Sequence, residues 1–237
     1  MWRVHLEPDG LAPDVERGPS PSDVDVATQL ADAVHRAREV GATAVVFEAE
    51  PVDDELVAIV EGAGFAPTRT TLQLRRSLPL EATARGDAPS ITTRAFRPGA
   101  DDEAWLAVNN RAFAWHPDQA GQTLDDLRSR QAEPWFRADG FLVHESADGA
   151  LDGFCWTKIH AEHAPPLGEI YVIGVDPPAH GRGLGRALVL AGLDWLSAQG
   201  LHDAMLYVES DNTAARSLYA SMGFGEHQSH RWWRRSL

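Results

Sequence analysis

A repeat with a fixed offset constrains this chain of 237 residues more than any other feature. Gly64-Phe65 is followed by Arg75-Arg76-Ser77-Leu78, and Gly223-Phe224 by Arg234-Arg235-Ser236-Leu237, each pair 159 residues apart. The same offset sets Gly41 on Gly200, the apolar run Val45-Val46-Phe47 on Ala204-Met205-Leu206, and Glu50 on Glu209. An ungapped match across a helix end, a strand, a helix and a final strand predicts two copies of one folding unit. The copies are unequal, about 80 residues against nearly 150. Residues 1–80 are therefore expected to be a truncated copy and 90–237 a full one. Pro79–Pro89 reads as the linker between them, and Pro8–Pro21 as a second loop-rich stretch.

Periodicity gives the elements of the second copy. Strand Ile91–Phe96 leads to a helix at Asp101–Phe113, which ends before Pro117, and a short helix follows at Leu124–Arg130. Strands are expected at Phe141–Glu145, Gly153–His160 and Gly168–Val175. A helix follows at Gly183–Ala198, with Leu184, Leu188, Ala191 and Trp195 on one face. Strand Ala204–Val208, helix Asn212–Met222 with Ala215, Leu218 and Met222 inward, and a strand through Trp232-Trp233 close the copy. The pattern is that of a mixed-sheet α/β layer fold. The tryptophan pair is expected in a core or an interface.

The segment Ile173-Gly174-Val175-Asp176-Pro177-Pro178-Ala179-His180-Gly181-Arg182-Gly183-Leu184-Gly185-Arg186 joins a strand to an amphipathic helix. Its glycines permit a tight turn and close approach of a ligand to backbone. The free first-turn N–H groups and the helix dipole then suit an anion such as a pyrophosphate, with Arg182 and Arg186 able to add charge. No Gly-Lys-Ser/Thr follows, so the turn is not a P-loop, and its glycine spacing is not that of a dinucleotide-binding fingerprint. Taken alone, a glycine-rich turn with no ligand is the plain alternative, the lesser of the two readings.

The formal net charge of −14 argues against a nucleic-acid partner and is mildly favourable to a cationic one, although solubility alone accounts for it. The one cysteine, Cys155, excludes an internal disulfide and sits in an apolar run where an inert thiol is expected. Neither a signal peptide nor a membrane span is expected, so the cytoplasm is the expected location. Monomer and homodimer both stay open.

The glycine turn after Val175-Asp176-Pro177 resembles the acetyl-CoA signature of the GNAT N-acetyltransferases, Gln/Arg-x-x-Gly-x-Gly/Ala, with His180 where Gln or Arg is usual. Asn212-Thr213-Ala214-Ala215-Arg216-Ser217-Leu218-Tyr219-Ala220-Ser221-Met222-Gly223-Phe224 is similar to a second signature of that family. The resemblance implies the GNAT fold and an acetyl-CoA co-substrate. The thioester and pantetheine arm would lie on backbone at Ile173, Gly174 and Val175, and the pyrophosphate on the amides of His180, Gly181, Arg182, Gly183, Leu184, Gly185 and Arg186. Asn212 and the residues after it, Thr213, Ala214, Ala215, Arg216 and Ser217, complete that site. A backbone N–H facing the thioester oxygen would stabilise an oxyanion.

Residues 108–119, 133–136, 156–160, 167–172 and 206–212 further resemble the mycothiol synthases, a family of tandem GNAT proteins that acetylate the cysteinyl amine of cysteinyl-glucosaminyl-inositol. That resemblance places Asp118, Lys158, Glu169 and Tyr207 at the acceptor. It makes Glu169 the base for an α-ammonium of pKa about 8, and Tyr219 the acid for the departing thiolate of pKa about 8.5. No metal is implied, and the sequence His160-Ala161-Glu162-His163 precedes prolines rather than lying on a helix. Glu169 as a solvated strand-edge charge, Tyr219 as a packing aromatic, and Lys158 with Asp118 as a surface pair remain the plain alternatives. At the level of the whole chain the alternatives are a GNAT enzyme for another small amine or a peptide N-terminus, and a non-catalytic acyl-CoA-binding protein. The first copy departs from the family. The offset puts Val60 at the place of Tyr219, Asp53 at that of Asn212, and the glycine-free Pro21–Val26 at that of the turn.

Overall fold

The offset seen in the sequence reappears as matched elements in a computed structural model, which describes residues 2–7, 15–17, 26–116 and 119–237. Helix α1 (Val26–Glu39), strand β3 (Ala44–Ala49), helix α2 (Asp54–Gly62) and strand β4 (Ala66–Ser77) form the first set. Their counterparts are α6 (Leu184–Ala198), β9 (Asp203–Glu209), α7 (Thr213–Ser221) and β10 (Gly225–Ser236). The glycines repeated between the copies end helices. Gly41 and Gly200 have φ of 73° and 81°, and Gly64 and Gly223 both have φ of 82°, the left-handed geometry that stops a helix at little cost to glycine. Each second helix is capped at its start by the mapped side chain. Asp53 accepts from the N–H of Leu56 at 2.8 Å, and Asn212 from that of Ala215 at 3.1 Å.

The chain forms two compact units that do not follow the copies. One holds the described residues up to Leu74 with Val208–Arg216 and Glu226–Leu237. Its strands run in the order β2 (Val15–Arg17), β1 (Trp2–Glu7), β3, β10, β4. The closing strand of the second copy therefore lies against β3 of the first, antiparallel, with Trp233 opposite Phe47. Trp2, Phe47 and Trp233 stack through this unit, at centroid spacings of 5.8 and 5.7 Å, under Leu30, Val34, Leu56 and Val60 of α1 and α2. Trp233 is thus a core residue, whereas Trp232 is half-buried beneath the guanidinium of Arg69.

The repeated Arg-Arg-Ser-Leu motif serves this exchange of closing strands. Arg235 donates to the carbonyl of Ala63 at 2.5 Å, past the end of α2, and Arg76 donates to that of Met222, past the end of α7. Each arginine thereby satisfies a helix-end carbonyl of the opposite copy. Leu237 N–H bonds to Thr43 at 3.1 Å and Leu78 N–H to His202 at 2.7 Å, again one offset apart.

The other unit comprises Arg75–Tyr207 and Ser217–Gly225. Its strands run β9, β8 (Leu167–Val175), β7 (Leu151–His160), β6 (Phe141–Glu145), β5 (Arg94–Ala95). Helices α4 (Asp102–Ala112) and α5 (Leu124–Gln131) belong here, the latter started by a Thr123–Asp126 capping box. The core is aromatic. Phe141 stacks on Trp156 at 4.3 Å and on Phe96 at 4.2 Å, with the edge of Trp105 against both Phe141 and Trp156.

Three expectations are corrected. The strand expected at 91–96 is assigned only at Arg94–Ala95, with Phe96 N–H bonded to the Phe141 carbonyl at 2.7 Å and the Thr92 carbonyl 2.8 Å from the His144 ring. The expected linker at 79–89 is docked, carrying the short helix α3 (Ala82–Arg85) with Arg85 bonded to Asp194 of α6 at 3.1 Å. Helix α6 is buried more broadly than one stripe. Ala187, Val189, Leu190, Gly192, Leu193 and Leu196 join Leu184 and Leu188, while Ala191 and Trp195 are half-buried. Gly192 is needed for this contact, since a Cβ there would lie 2.5 Å from the Cys155 sulfur.

Candidate active site

Strand β8 has two different edges. On one side it pairs antiparallel with β7 to its last residues, Phe154 opposite Gly174 and Gly153 opposite Val175. On the other it pairs parallel with β9 only at Gly168–Ile170 against Ala204–Leu206. From Tyr171 to Val175 the strands have parted, which frees the β8 backbone edge at Ile173, Gly174 and Val175 for an extended ligand. Gly174 also has a packing role, because a Cβ there would lie 2.8 Å from the Phe154 ring.

The turn after β8 is held by side chains. Arg111 forks onto Asp176 at 2.9 and 2.7 Å, and the His180 ring bonds to the Val175 carbonyl at 3.0 Å. His180, at the position where Gln or Arg is usual, therefore fastens the loop to the strand it leaves. Gly181 and Gly183 have φ of 77° and 75°, so the turn itself requires them. Gly185 is different. It is helical, and a Cβ there would meet only Leu218 and Val175, at 3.9 Å. Neither backbone nor packing demands glycine at 185, and the space beside the first turn of α6 is open there. That turn has Gly183 as its N-cap, with no side-chain cap and no acidic residue. It presents the N–H groups and positive dipole end that suit a pyrophosphate.

The arginines are less free than the sequence suggested. Arg182 bonds to Asp152 at 2.6 Å, and Arg186 reaches the Ser221 hydroxyl and the Arg85 carbonyl. Thr213, Ala214, Ala215 and Arg216 form the first turn of α7 behind the Asn212 cap, in the first compact unit, and Ser217 opens the stretch assigned to the other. Arg216 is bonded to the Ser210 carbonyl at 2.8 Å and to Glu226 at 2.9 Å.

Tyr219 is buried, with its ring against Phe224. Burial pushes its phenol above the ordinary value, with Cys155 adding to the shift, so it stays protonated as a hydrogen-bond donor. The Cys155 thiol is itself pushed up to about 12 by burial, which accords with an inert thiol.

Lys158, Glu169 and Met205 are cross-strand partners on β7, β8 and β9 and so share one sheet face, which alternation also gives to Tyr207. Glu169 is buried, not a solvated edge charge, and it contacts the Nε2 of His160 at 2.7 Å. Lys158 lies with its Nζ 4.8 Å from the Trp135 ring centre and 5.7 Å from that of Tyr171, a cation–π seat. Tyr207 is exposed. Asp118 lies outside the described residues. His160 is the partner that sequence reasoning missed, and the signal lay in the same His-Ala-Glu-His run. Its Nδ1 faces Glu162 at 3.0 Å, so both ring nitrogens are occupied by carboxylates. His160, Glu162 and His163 do bring candidate ligand atoms within 4.8 Å of one another.

A β-strand that parts from its parallel neighbour, then a glycine turn into an uncapped helix, defines a class of site that holds a long anionic ligand through backbone. The Acetyltransferase (GNAT) family model matches residues 104–224, and the chain belongs to that family. Curated relatives are called mycothiol acetyltransferase. That of Salinispora arenicola is 49% identical over 175 residues, 73% of this chain and 57% of the relative. That of Acidimicrobium ferrooxidans is 51% identical over 174 residues, 72% of this chain and 55% of the relative. The chain thus spans little more than half the length of these relatives. Among solved structures, a GCN5-related N-acetyltransferase from Sphaerobacter thermophilus superposes with a TM-score of 0.68 at 22% identity, covering 91% of this chain and 70% of that one. A tandem GNAT protein from the clavulanic acid biosynthesis pathway gives 0.63 at 17%, covering 94% of this chain and 73% of its own. At these identities the two structures speak for the fold alone. No helix among the described residues is long and apolar enough to cross a membrane.

Proposed function

We propose that the chain transfers the acetyl group of acetyl-CoA to the cysteinyl amine of cysteinyl-glucosaminyl-inositol, the step that forms mycothiol. The observation that carries this reading is 49% and 51% identity to proteins called mycothiol acetyltransferase over nearly three-quarters of the chain. The site's chemistry agrees with it. Acetyl-CoA supplies the acetyl group as a reactive thioester. The first turn of α6 and the backbone of 180–186 hold its pyrophosphate, and the free edge at Ile173–Val175 takes the pantetheine arm. Glu169 accepts a proton from the acceptor ammonium, and Tyr219 donates to the departing sulfur. Lys158 and Tyr207 face the acceptor, which is a small-molecule amine.

Residues 1–80 are on this reading a degenerate repeat that binds no acetyl-CoA. Its helix α2 carries Val60 where α7 carries Tyr219, and its β1 runs antiparallel to β3 where β8 runs parallel to β9. The test is mass-spectrometric detection of N-acetylated product from purified protein, acetyl-CoA and cysteinyl-glucosaminyl-inositol, beside a panel of other amines and peptide N-termini. Turnover of another amine with none of that acceptor would overturn the substrate. No turnover of any amine would overturn the activity.

A further inference from the structure

Asp176 stands between the free edge of β8 and the glycine turn. Its N–H donates to the Asp152 carbonyl at 2.8 Å, and its carbonyl accepts from Ala179 N–H at 2.8 Å. Its carboxylate has no such local partner. An aspartate before a helical turn ordinarily caps the N–H groups that follow. Here Pro177 and Pro178 have none to give, and that of Ala179 is already bonded to the Asp176 carbonyl. The side chain is only 12% exposed, and a buried carboxylate left unpaired is costly. Among the described residues its partner is Arg111, in the last turn of α4, which forks onto both oxygens at 2.9 and 2.7 Å.

The fork has two consequences for the turn. It is geometric first. Two parallel N–H bonds fix the orientation of a carboxylate as a single contact does not, and so fix where the turn leaves the strand. The other ties join the turn to the sheet, His180 to the Val175 carbonyl and Arg182 through one nitrogen to Asp152. The Arg111 fork joins it to a helix. The second consequence is electrostatic. The Asp176 carboxylate lies four residues before His180, where the backbone read as the pyrophosphate site begins. A negative charge there opposes an anionic ligand, and the guanidinium cancels it. Resting on the reading that this turn takes the pyrophosphate of acetyl-CoA, we propose that Arg111 is a positioning residue for acetyl-CoA. It acts through Asp176, by fixing the start of the turn and neutralising the carboxylate beside it.

The test joins isothermal titration calorimetry of the purified chain with acetyl-CoA to hydrogen exchange of segment 176–185, read by mass spectrometry. Arg111→Met keeps an unbranched side chain and removes the fork. It should raise the Kd for acetyl-CoA about tenfold and speed exchange in 176–185, while the later turns of α6 keep their protection. Combining Arg111→Met with Asp176→Asn removes both charges and should return the Kd to within about threefold of wild type. A general weakening of the fold would not be relieved by a second substitution, so this rescue isolates the action through Asp176. The double variant also leaves no unpaired buried charge, and it reads the affinity even where the single variant is too weakened to purify. Wild-type affinity in Arg111→Met would overturn the proposal, as would a double variant that binds at least tenfold more weakly than wild type. If the wild-type protein binds no acetyl-CoA, the pyrophosphate reading fails by itself. The exchange arm still decides the tie, because protection of 176–185 unmoved by Arg111→Met overturns it.

Discussion

Helices α2 and α7 occupy equivalent places, 54–62 and 213–221, begin after equivalent caps at Asp53 and Asn212, and end at glycines of the same φ. Yet α2 turns Val60 into an apolar core and α7 turns Tyr219 beside Phe224. The strands beside them differ more. β3 lies between two antiparallel neighbours, whereas β9 has the parallel, parting β8. The repeat thus preserves what closes each unit, namely glycine helix ends, apolar strand residues and the Arg-Arg-Ser-Leu strand that crosses over. The groups that the proposed function assigns to the thioester lie where the copies differ. Scaffold and chemistry are separable in this chain, and substitutions in one should leave the other measurable.

The largest effect should come from the exchanged strand. Trp233→Ala empties the centre of the first unit's core and should cost about 3–5 kcal/mol in chemical denaturation. An effect near 1 kcal/mol would mean that β10 does not close that core. Tyr219→Phe keeps the ring and should lower kcat about 100-fold with stability nearly unchanged, as steady-state kinetics would register. Its counterpart Val60→Ala should lower stability and leave kcat alone. Gly185→Val should raise the KM for acetyl-CoA about tenfold, some 1.4 kcal/mol, because its side chain fills space the protein leaves open.

The smallest effect is at low pH. Glu48 is held down to about 2, since hydrogen bonds from His230 and His5 outweigh the burial that opposes its ionisation. Its ordinary value is 4.5, so its contribution to stability is complete above that pH and is lost as pH falls from there toward 2. His230→Ala should therefore move acid unfolding of the first unit to higher pH, followed by circular dichroism.

The sequence made the repeat, the order of elements and the glycine turn legible, because each is local: helical spacing around Leu184 and Leu188, alternation along β8, glycines at the turn. The strand exchange was not legible. β4 and β10 carry the same closing motif, so each satisfies the pattern of either partner, and only three-dimensional pairing decides between them. The His160–Glu169 contact was hidden for a similar reason. The two residues are nine apart across a hairpin, diagonal to each other beside the pairs His160–Leu167 and Lys158–Glu169, and the hairpin register is not written in the sequence. The sequence also read Glu169 as a possible edge charge, because it could not show that β9 covers the other side.

The central claim is that one copy of the pair holds acetyl-CoA and the other only the shared scaffold. Native mass spectrometry of the purified chain with acetyl-CoA tests this most directly. The account predicts one molecule bound per chain, held about tenfold more weakly in Gly185→Val and equally well in Val60→Ala. Two molecules per chain, or one whose affinity is unchanged in Gly185→Val and falls in Val60→Ala, would contradict it.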